Sequence, residues 1–531
     1  MSKRVLRLSA AVLSLSLVAA ACGGDDDDAG ETTTEASAEA PADDSAEETA
    51  EATADEATAE ATADESTAEM TADEATAEMT GEETGEETGE MTGEMTGEES
   101  THEMSGDDME ELALEGEVEV AAGTVLNLDE CPDDWSATQG VDGDEIRIGQ
   151  TLPQSGALAG FGAIGEGMQM YFDYLNENDP IDGKELVLVT KDDAYEAGRA
   201  VANVEEMIDT EDIFAFMHFI GTPVNVATRP ITGENCVPQL FNSSGFPIWG
   251  DPANFPWTVG NILDYSTETR IWCNAITEEF GEGATVAALY MNNDFGTTYQ
   301  NTVNNDPACA GLDVVQEQTH DPAADSIQNE MTTLIASGAE VFLAGTTASF
   351  CPQTVGAVAA SDWRPTYYMS YTCNNLASFF TPVQDAAGTL ADEGAGVRMT
   401  NINKLCGDPT WADDPAIQEV EQILDEYGSV TCADGSYSTG VLYGHIAESV
   451  LRDAASMPGG LNRVNLMHAV WNLDTTDELW MGGTIKTDGV NDAYIQEAAQ
   501  IQEVQVVDGA LTYQDVGDLI DLEGQGGSYQ S

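Results

Sequence analysis

Residues 146–162 read IRIGQTLPQSGALAGFG, an apolar run that gives way to glutamine, serine and glycine. The run predicts a β-strand over 145–150, and the helix-spaced apolar residues of 164–176 predict that a helix follows. A second apolar run at 185–190 has the length of the next strand. Strand, helix and strand at this spacing form a right-handed crossover between parallel strands, which indicates an α/β fold.

The same alternation continues along the chain. Further strands are predicted at 213–220 and 237–241, with a helix over 221–233 between them. A second series of apolar runs, each followed by a helical segment, begins after Asn261, and its strands are predicted at 285–291, 313–318, 340–345 and 366–370. Two such series predict two Rossmann-like lobes, each with its own parallel sheet and helices.

The first residues have the form of an export signal. Lys3, Arg4 and Arg7 precede an apolar run over 8–21, which is shorter than the about 20 residues that a spanning helix needs. The run ends at AAAC, which resembles the cleavage box of bacterial lipoproteins, with Cys22 at the place of the acylated cysteine. The resemblance implies export and a lipid anchor on the outer face of the cell membrane. The alternative is ordinary secretion with Cys22 discarded or free.

An acidic segment follows the signal. From 23 to 114 the sequence is mainly Ala, Thr, Glu, Asp, Gly and Met, with near-repeats of TADEATAE and GEET. Low hydrophobicity combined with like charges cannot offset the entropy of ordering, so 22–140 is predicted to be a disordered spacer. A calcium-binding or partner-binding tail is the alternative, but the segment lacks the ligand spacing of a calcium loop.

Strong acidity limits the partners that the chain can bind. There are 99 Asp and Glu against 15 Lys and Arg, which gives a net charge of -84. Nucleic acids and anionic membrane surfaces need a basic patch, so neither is an expected partner.

The cysteines also agree with export. Besides Cys22 the chain has an even number of them, which in an exported protein favours disulfides over a metal site. Cysteine count alone leaves the connectivity open. Pairing neighbours in sequence gives the assignment that we carry forward: Cys273 with Cys309, Cys351 with Cys373, Cys406 with Cys432, and Cys131 with Cys236.

The order of the folded segments resembles a known family. After IRIGQTLPQSGALAGFG come YFDYLNE, IDGKELVLVTKDDAY, FIGTPVN, CVPQLFNSSGFP and VAALYMNNDFG. This order, over 142–517, is similar to the periplasmic branched-chain amino-acid-binding proteins, the type I solute receptors of ABC importers. The resemblance implies two lobes joined by a hinge of three chain crossings, expected near 257–264, 393–398 and 481–486.

The resemblance and the composition together divide the chain into six parts. These are a signal peptide at 1–21, the spacer at 22–140, the first part of lobe 1 at 141–260, lobe 2 at 261–395, the second part of lobe 1 at 396–482, and a closing segment at 483–520, mostly in lobe 2.

Candidate ligand-binding residues follow the strands of the first lobe, because open α/β sheets bind ligands at the carboxyl ends of their strands. Ser155, Ala157 and Gly221 lie in two of these loops, where hydroxyls and free N–H groups can hold a carboxylate without a full positive charge. The resemblance implies that further residues contact the ligand's carboxylate and amino group, namely Thr222, Ser243, Ser244 and Gly245. It also places Phe161 at an aromatic position that covers the ligand.

The second lobe adds three candidates. Phe295 resembles an aromatic lid position of the family, and Thr346 and Tyr371 follow two of the predicted strands. The alternative for the hydroxyls is helix capping, and for Phe295 it is core packing. Asp192, Asp193 and Tyr195 also match a family stretch, which we interpret as structural.

One departure from the family bears on the solute. Amino-acid receptors of this family place a carboxylate at 370–372 to meet the ligand's ammonium, but this chain has Ser, Tyr and Thr there. A buried ammonium needs an opposite charge or several acceptors. Asp294 could take the place of that carboxylate, or it is a turn residue. The solute is therefore predicted to be a small polar organic molecule, with amino acid, amide and related carboxylate left open.

Catalysis and cofactor binding are not expected. Gly160, Gly162 and Gly165 form a GxGxxG pattern, but about ten residues separate it from the strand that a dinucleotide site would directly follow. Neither GxSxG nor HExxH occurs. The histidines show no metal spacing, and they are His102, His218, His320, His445 and His468. His218 falls within an apolar strand, where a hydrogen-bonded core residue is expected.

The resemblance implies a monomeric receptor that closes around its solute and presents it to ABC permease and ATPase subunits. A sensor of the same fold that feeds a signalling partner is the first alternative. A structural surface protein with a filled crevice is the second.

Overall fold

The computed structural model describes residues 114–141 and 143–529. The signal segment, Cys22 and most of the acidic spacer lie outside these residues. The described chain opens with a hairpin of β1 (Glu117–Ala121) and β2 (Thr124–Asn127). The expected end of the spacer at 140 is therefore corrected, because the apolar side chains of this hairpin, among them Val120 and Leu126, are buried in the core.

The first large sheet has five parallel strands in the spatial order β4–β3–β5–β6–β7. The strands are β3 (Glu145–Leu152), β4 (Glu185–Asp192), β5 (Ala215–Met217), β6 (Gln239–Asn242) and β7 (Thr258–Gly260). The connecting helices are α1 (Gly162–Asn178), α2 (Ala197–Thr210) and α3 (Thr222–Glu234). The predicted α/β alternation is confirmed in this part of the chain.

Strand β5 is shorter than the apolar run that predicted it. The strand ends before His218, whose φ of 56° is left-handed and interrupts the extended backbone. Its ring stacks on Tyr443 with centroids 4.2 Å apart, and its Nε2 donates to the Tyr443 carbonyl at 3.0 Å. Burial lowers the pKa of His218 to about 3. It is a neutral, hydrogen-bonded core residue, as predicted.

The second large sheet contains eight strands, and its central part is parallel. The parallel strands are β8 (Thr285–Met291), β9 (Asp313–His320), β10 (Val341–Gly345), β11 (Thr366–Met369) and β12 (Val397–Asn401). The helices of this part are α4 (Tyr265–Phe280), α5 (Asp294–Asn305), α6 (Gln328–Ser337), α7 (Phe350–Ala359) and α8 (Gln384–Asp392). Asp264 starts α4 by accepting a hydrogen bond from the Thr267 N–H.

Strand β12 pairs with β11, so the chain stays in the second sheet through Asn401. This is a few residues beyond the boundary expected at 395. The helices that follow are α9 (Pro415–Ile423), α10 (Tyr437–Ser456) and α11 (Arg463–Val470), and α10 packs along α1. A small hairpin then joins β13 (Asp474–Thr476) to β14 (Thr484–Lys486).

The chain closes on the second sheet. Strand β15 (Ala498–Val507) is antiparallel to β12, and it also pairs with β16 (Ala510–Asp515) and β17 (Ile520–Asp521). After β17 the C-terminal segment reaches the loop before β7 of the first sheet, where Tyr529 N–H donates to the carbonyl of Gly250 at 2.6 Å.

Four disulfides join described residues, and they confirm the pairing of sequence neighbours: Cys131–Cys236, Cys273–Cys309, Cys351–Cys373 and Cys406–Cys432. The first closes a sequence separation of 105 residues and ties the segment after the opening hairpin to the loop before β6. Among the described helices, none is both long and apolar enough to cross a membrane.

Candidate functional site

A cleft of about 810 Å³, its mouth included, lies where the carboxyl ends of the two large sheets face each other. Loops after β5 and β6 form one wall, and loops after β8, β10 and β11 form the other. Aromatic side chains, hydroxyls and side-chain amides line it. None of the described residues around this cleft is acidic, basic or a histidine.

The structure brings six of the predicted site residues to this cleft, and they are Phe161, Gly221, Thr222, Ser243, Phe295 and Tyr371. The remaining five lie outside its lining. Ser155 and Ala157 are exposed, and the Ser155 hydroxyl donates to Asp192 at 2.6 Å. Thr346 is buried beside His320, whose Nε2 lies 2.8 Å from the threonine hydroxyl.

The other two lie behind the first wall. The hydroxyl of Ser244 is 2.8 Å from that of Thr222, so it supports a lining residue from within the lobe. Gly245 is packed against the backbone that leaves the first sheet, because a Cβ there would come within 2.2 Å of the Leu263 carbonyl. Both residues position the wall without facing the cleft.

Helix α3 begins at the cleft. Its preceding residue, Gly221, has a φ of 102°, and a Cβ at this position would lie 2.1 Å from the ring of Tyr195. Glycine therefore allows both the turn and the close approach of the aromatic ring. The helix starts with Thr222, so its hydroxyl and the positive end of the helix dipole lie together at the wall.

Tyr195 forms part of the same wall, although its sequence context suggested a structural residue. The buried carboxyl of Asp193 holds its loop by accepting hydrogen bonds from the Tyr195 N–H at 2.7 Å and the Thr151 hydroxyl at 2.8 Å. Burial raises the pKa of Asp193 to about 6. Asp193 thus has the structural role that was expected, and Tyr195 adds an aromatic surface to the cleft.

The second wall contains a hydroxyl with no partner. Thr347 directly follows Thr346 in the loop after β10, is 5% exposed, and its Oγ1 makes no hydrogen bond within the described residues. Leaving a buried hydroxyl unpaired is costly. Because Thr347 lines the cleft, a bound solute can supply the missing partner.

A buried acid lies behind this wall. Glu268 on α4 accepts hydrogen bonds from the Tyr371 N–H at 2.9 Å and from the Tyr299 hydroxyl at 2.5 Å. The Ser370 hydroxyl lies 2.9 Å from that of Tyr299 and extends the network. Burial, opposed by these hydrogen bonds, raises the pKa of Glu268 to about 8, so it is mostly protonated at neutral pH.

Direct contacts join the two walls across the cleft. The rings of Phe161 and Phe379 meet edge to face with centroids 5.8 Å apart. The side-chain amide of Asn375 donates to the Gly435 carbonyl at 3.4 Å, and the hydroxyls of Ser378 and Ser436 are 3.3 Å apart. The structure is therefore that of a closed cleft with an aromatic cover.

Sequence reasoning missed several lining residues, including Tyr265, Thr347, Phe379, Tyr443 and Trp480. Thr347 had a detectable signal, since it stands next to Thr346 at the end of a predicted strand. Tyr443 lies within α10 and Trp480 follows β13, so nothing in the local pattern links them to a strand end. They come from later parts of the chain, namely helix α10, which packs along α1, and the hairpin of β13 and β14.

Comparison with known proteins gives one family. Residues 145–509 match the profile of a family described as periplasmic binding protein. A search among curated proteins gives no significant match.

Solved structures share the fold at low sequence identity. A branched chain amino acid ABC transporter protein from Thermus thermophilus with bound valine is 17% identical, has a TM-score of 0.61, and the match covers 71% of this chain and 96% of that one. A fatty acid ABC transporter substrate-binding protein from Thermomonospora curvata is also 17% identical, with a TM-score of 0.61 and coverage of 73% and 96%. An ABC transporter solute binding protein from Rhodopseudomonas palustris in complex with 3,4-dihydroxy benzoic acid is 16% identical and has a TM-score of 0.58. The match covers 71% of this chain and 98% of that one.

Proposed function

Because the chain belongs to the periplasmic binding protein family, an extracytoplasmic receptor fold, we propose that it captures one small organic solute in its cleft and presents it to an ABC permease. The observation that carries this proposal is the closed cleft between the two sheets, which has an aromatic cover and an unpartnered hydroxyl. Clefts of this kind bury most of a small ligand and orient it through a few polar groups.

The cleft chemistry favours a solute without an ammonium group. No acidic side chain is among its described lining residues, and Glu268 behind the wall already accepts two hydrogen bonds while it is mostly protonated. A buried ammonium would lack an opposite charge, which is costly. Of the three predicted classes, we therefore favour the carboxylate and the amide over the amino acid.

Polar groups for a carboxylate or amide are present. The hydroxyls of Thr222 and Ser243 and the first turn of α3 lie on one wall, and Thr347 lies on the other. Helix starts and hydroxyls hold anions without a cationic side chain. The aromatic residues around them fit an apolar or aromatic body. Two of the related structures are a fatty acid ABC transporter substrate-binding protein and a solute binding protein in complex with 3,4-dihydroxy benzoic acid.

Matched pairs of solutes test this assignment. The full chain is titrated calorimetrically with 4-methylpentanoate and leucine, and with 3-phenylpropanoate and phenylalanine, where the members of a pair differ by one ammonium. We expect a member without the ammonium to bind, with its matched amino acid at least about tenfold weaker. Tighter binding of the amino acids would reject the solute class, and no binding by any of the four solutes would argue against capture of a small carboxylate.

We further propose that the receptor acts as a monomer without catalysis, held on the outer face of the cell membrane by an acylated Cys22. The acidic sequence before the hairpin would then extend the receptor away from the lipid surface through like-charge repulsion. Mass spectrometry of the mature N-terminal peptide tests the anchor, since acylation adds the mass of its fatty chains to Cys22. An unmodified or absent Cys22 would leave a secreted receptor.

A further inference from the structure

Three acidic side chains meet far from the solute cleft, at the C-terminal closing segment. Asp492, Glu497 and Glu523 each place a carboxylate oxygen within 4.8 Å of those of the other two. Asp492 lies in the turn after β14, Glu497 directly precedes β15, and Glu523 follows β17. None of the three lines the solute cleft.

Glu497 is anchored by the chain that passes over it. Its two oxygens accept hydrogen bonds from the backbone N–H groups of Gly524 at 2.6 Å and Gly526 at 2.7 Å. It is 6% exposed. The geometry of the carboxylate is therefore fixed by the C-terminal segment, and its remaining lone pairs are available to a ligand.

The other two carboxylates have buried oxygens that lack a partner. Asp492 is only 9% exposed, and its Oδ1 makes no hydrogen bond with any described residue. The Oε1 of Glu523 is likewise buried and unpartnered. Buried acceptors without donors are rare in folded proteins, and each one needs an explanation. Here both belong to one cluster.

Mutual repulsion makes the cluster unfavourable without a cation. The nearby basic side chain is Lys486, whose Nζ pairs with Asp474 at 3.1 Å. Carboxylate oxygens in such a set are the ligands that hard divalent cations bind.

We propose that Asp492, Glu497 and Glu523 bind a divalent cation of the calcium type, which fastens the C-terminal segment to the start of β15. An entry path exists, because Glu497 also lines a solvent-connected cavity of about 2330 Å³, its mouth included, between α4 and this segment. A bound cation coordinates the buried oxygens that lack a hydrogen-bond donor, and it neutralises the repulsion between the carboxylates.

Terbium luminescence can separate this site from the acidic N-terminal sequence. Tyr494 lies beside the cluster, since a Cβ on Gly526 would touch both its ring and Glu497. The chain has no Phe, Tyr or Trp before Trp135, so terbium bound to the acidic repeats has no neighbouring sensitiser in that sequence. The part of the tyrosine-excited luminescence that the cluster variants lose therefore reports the C-terminal cluster.

The experiment titrates the full chain with terbium and then displaces it with calcium. We expect a saturable signal that calcium removes, with affinity at least about tenfold weaker in Asp492→Asn and in Glu523→Gln. Asp508→Asn, at the exposed turn between β15 and β16, is the matched control and keeps wild-type affinity. No saturable signal in the wild type, or equal affinity in both cluster variants and the control, would overturn the proposal.

Thermal unfolding gives a second readout. Calcium should raise the unfolding midpoint of the wild type and of Asp508→Asn, and should raise it less in the two cluster variants. Without calcium, the cluster variants should be at least as stable as the wild type, because each removes one repelling charge. Equal calcium shifts in all four proteins would count against the site.

Discussion

Glu268 accepts a hydrogen bond from the backbone N–H of Tyr371 at 2.9 Å, although 103 residues separate them in the sequence. This contact places an acid directly behind the cleft wall where amino-acid receptors are expected to carry one facing the ligand. Because Glu268 is fully buried and lies outside the cleft lining, it stabilises the wall and leaves the cleft uncharged.

Glu268→Gln should reduce the pH dependence of stability. Burial raises the pKa of Glu268 from its usual value of 4.5 to about 8. The folded protein therefore keeps a proton that the unfolded chain releases, and the stability held below pH 4.5 is lost as the pH rises towards 8. In denaturant titrations between about pH 5 and pH 8, the wild type should lose a few kcal/mol more than the variant. Equal losses would mean that Glu268 is ionised in the folded protein.

Thr347→Val should weaken solute binding without lowering the stability of the free protein. The hydroxyl is buried without a partner, so its removal leaves no broken hydrogen bond in the free state. Thr354→Val is the matched control, since its hydroxyl donates to the Cys351 carbonyl at 2.7 Å and accepts from Tyr367 at 2.6 Å. That control should lose about 1–3 kcal/mol on denaturant unfolding and keep its solute affinity. If Thr347→Val kept its solute affinity and lost stability instead, Thr347 would not be part of the site.

Phe161→Ala should weaken solute binding by about tenfold or more, because it removes one half of the aromatic cover formed with Phe379. Phe161 is only partly buried, so the cost to folding should be small. Phe280→Ala, at an exposed position on α4, is the control and should bind as the wild type does. Calorimetric titration with the matched solutes measures both, and equal affinities would show that the cover does not contact the solute.

Gly221→Ala and Gly233→Ala should act in opposite directions, although the first residue precedes α3 and the second lies in its last turn. Alanine at 221 must adopt a φ of 102° and brings its Cβ within 2.1 Å of the Tyr195 ring, so we expect a loss of about 2–4 kcal/mol together with weaker binding. Gly233 lies within α3 with open space around it, and alanine there should stabilise by up to about 1 kcal/mol. Similar effects at both positions would mean that the turn before α3 is relaxed.

The alternation of apolar runs and helical periods predicted both large sheets, because each buried strand and each amphipathic helix leaves its own period in the sequence. Strand β8 has the predicted bounds of 285–291. The opening hairpin at 117–127 was not separated from the acidic spacer, since its short strands follow directly on acidic sequence and are stabilised by distant partners. One of these is the side-chain amide of Asn472, which donates to the Val120 carbonyl at 2.7 Å.

Cleft residues were predictable from the sequence where they directly follow a predicted parallel strand. Thr222 and Tyr371 are of this kind, and both line it. Tyr443 and Trp480 come from later parts of the chain, whose placement depends on tertiary packing such as that of α10 against α1. The role of Glu268 could not be foreseen, because its carboxylate meets the Tyr371 N–H across a separation of 103 residues, and this contact arises only in the folded protein.

Native mass spectrometry of the full chain with the matched solutes tests capture in the cleft most directly. We expect one molecule of a solute without an ammonium per wild-type chain, and loss of that complex in the double variant Phe161→Ala, Thr347→Val while circular dichroism shows it folded. A complex that persists in the double variant, or the absence of any complex with organic acids, amides and amino acids, would contradict solute capture by this cleft.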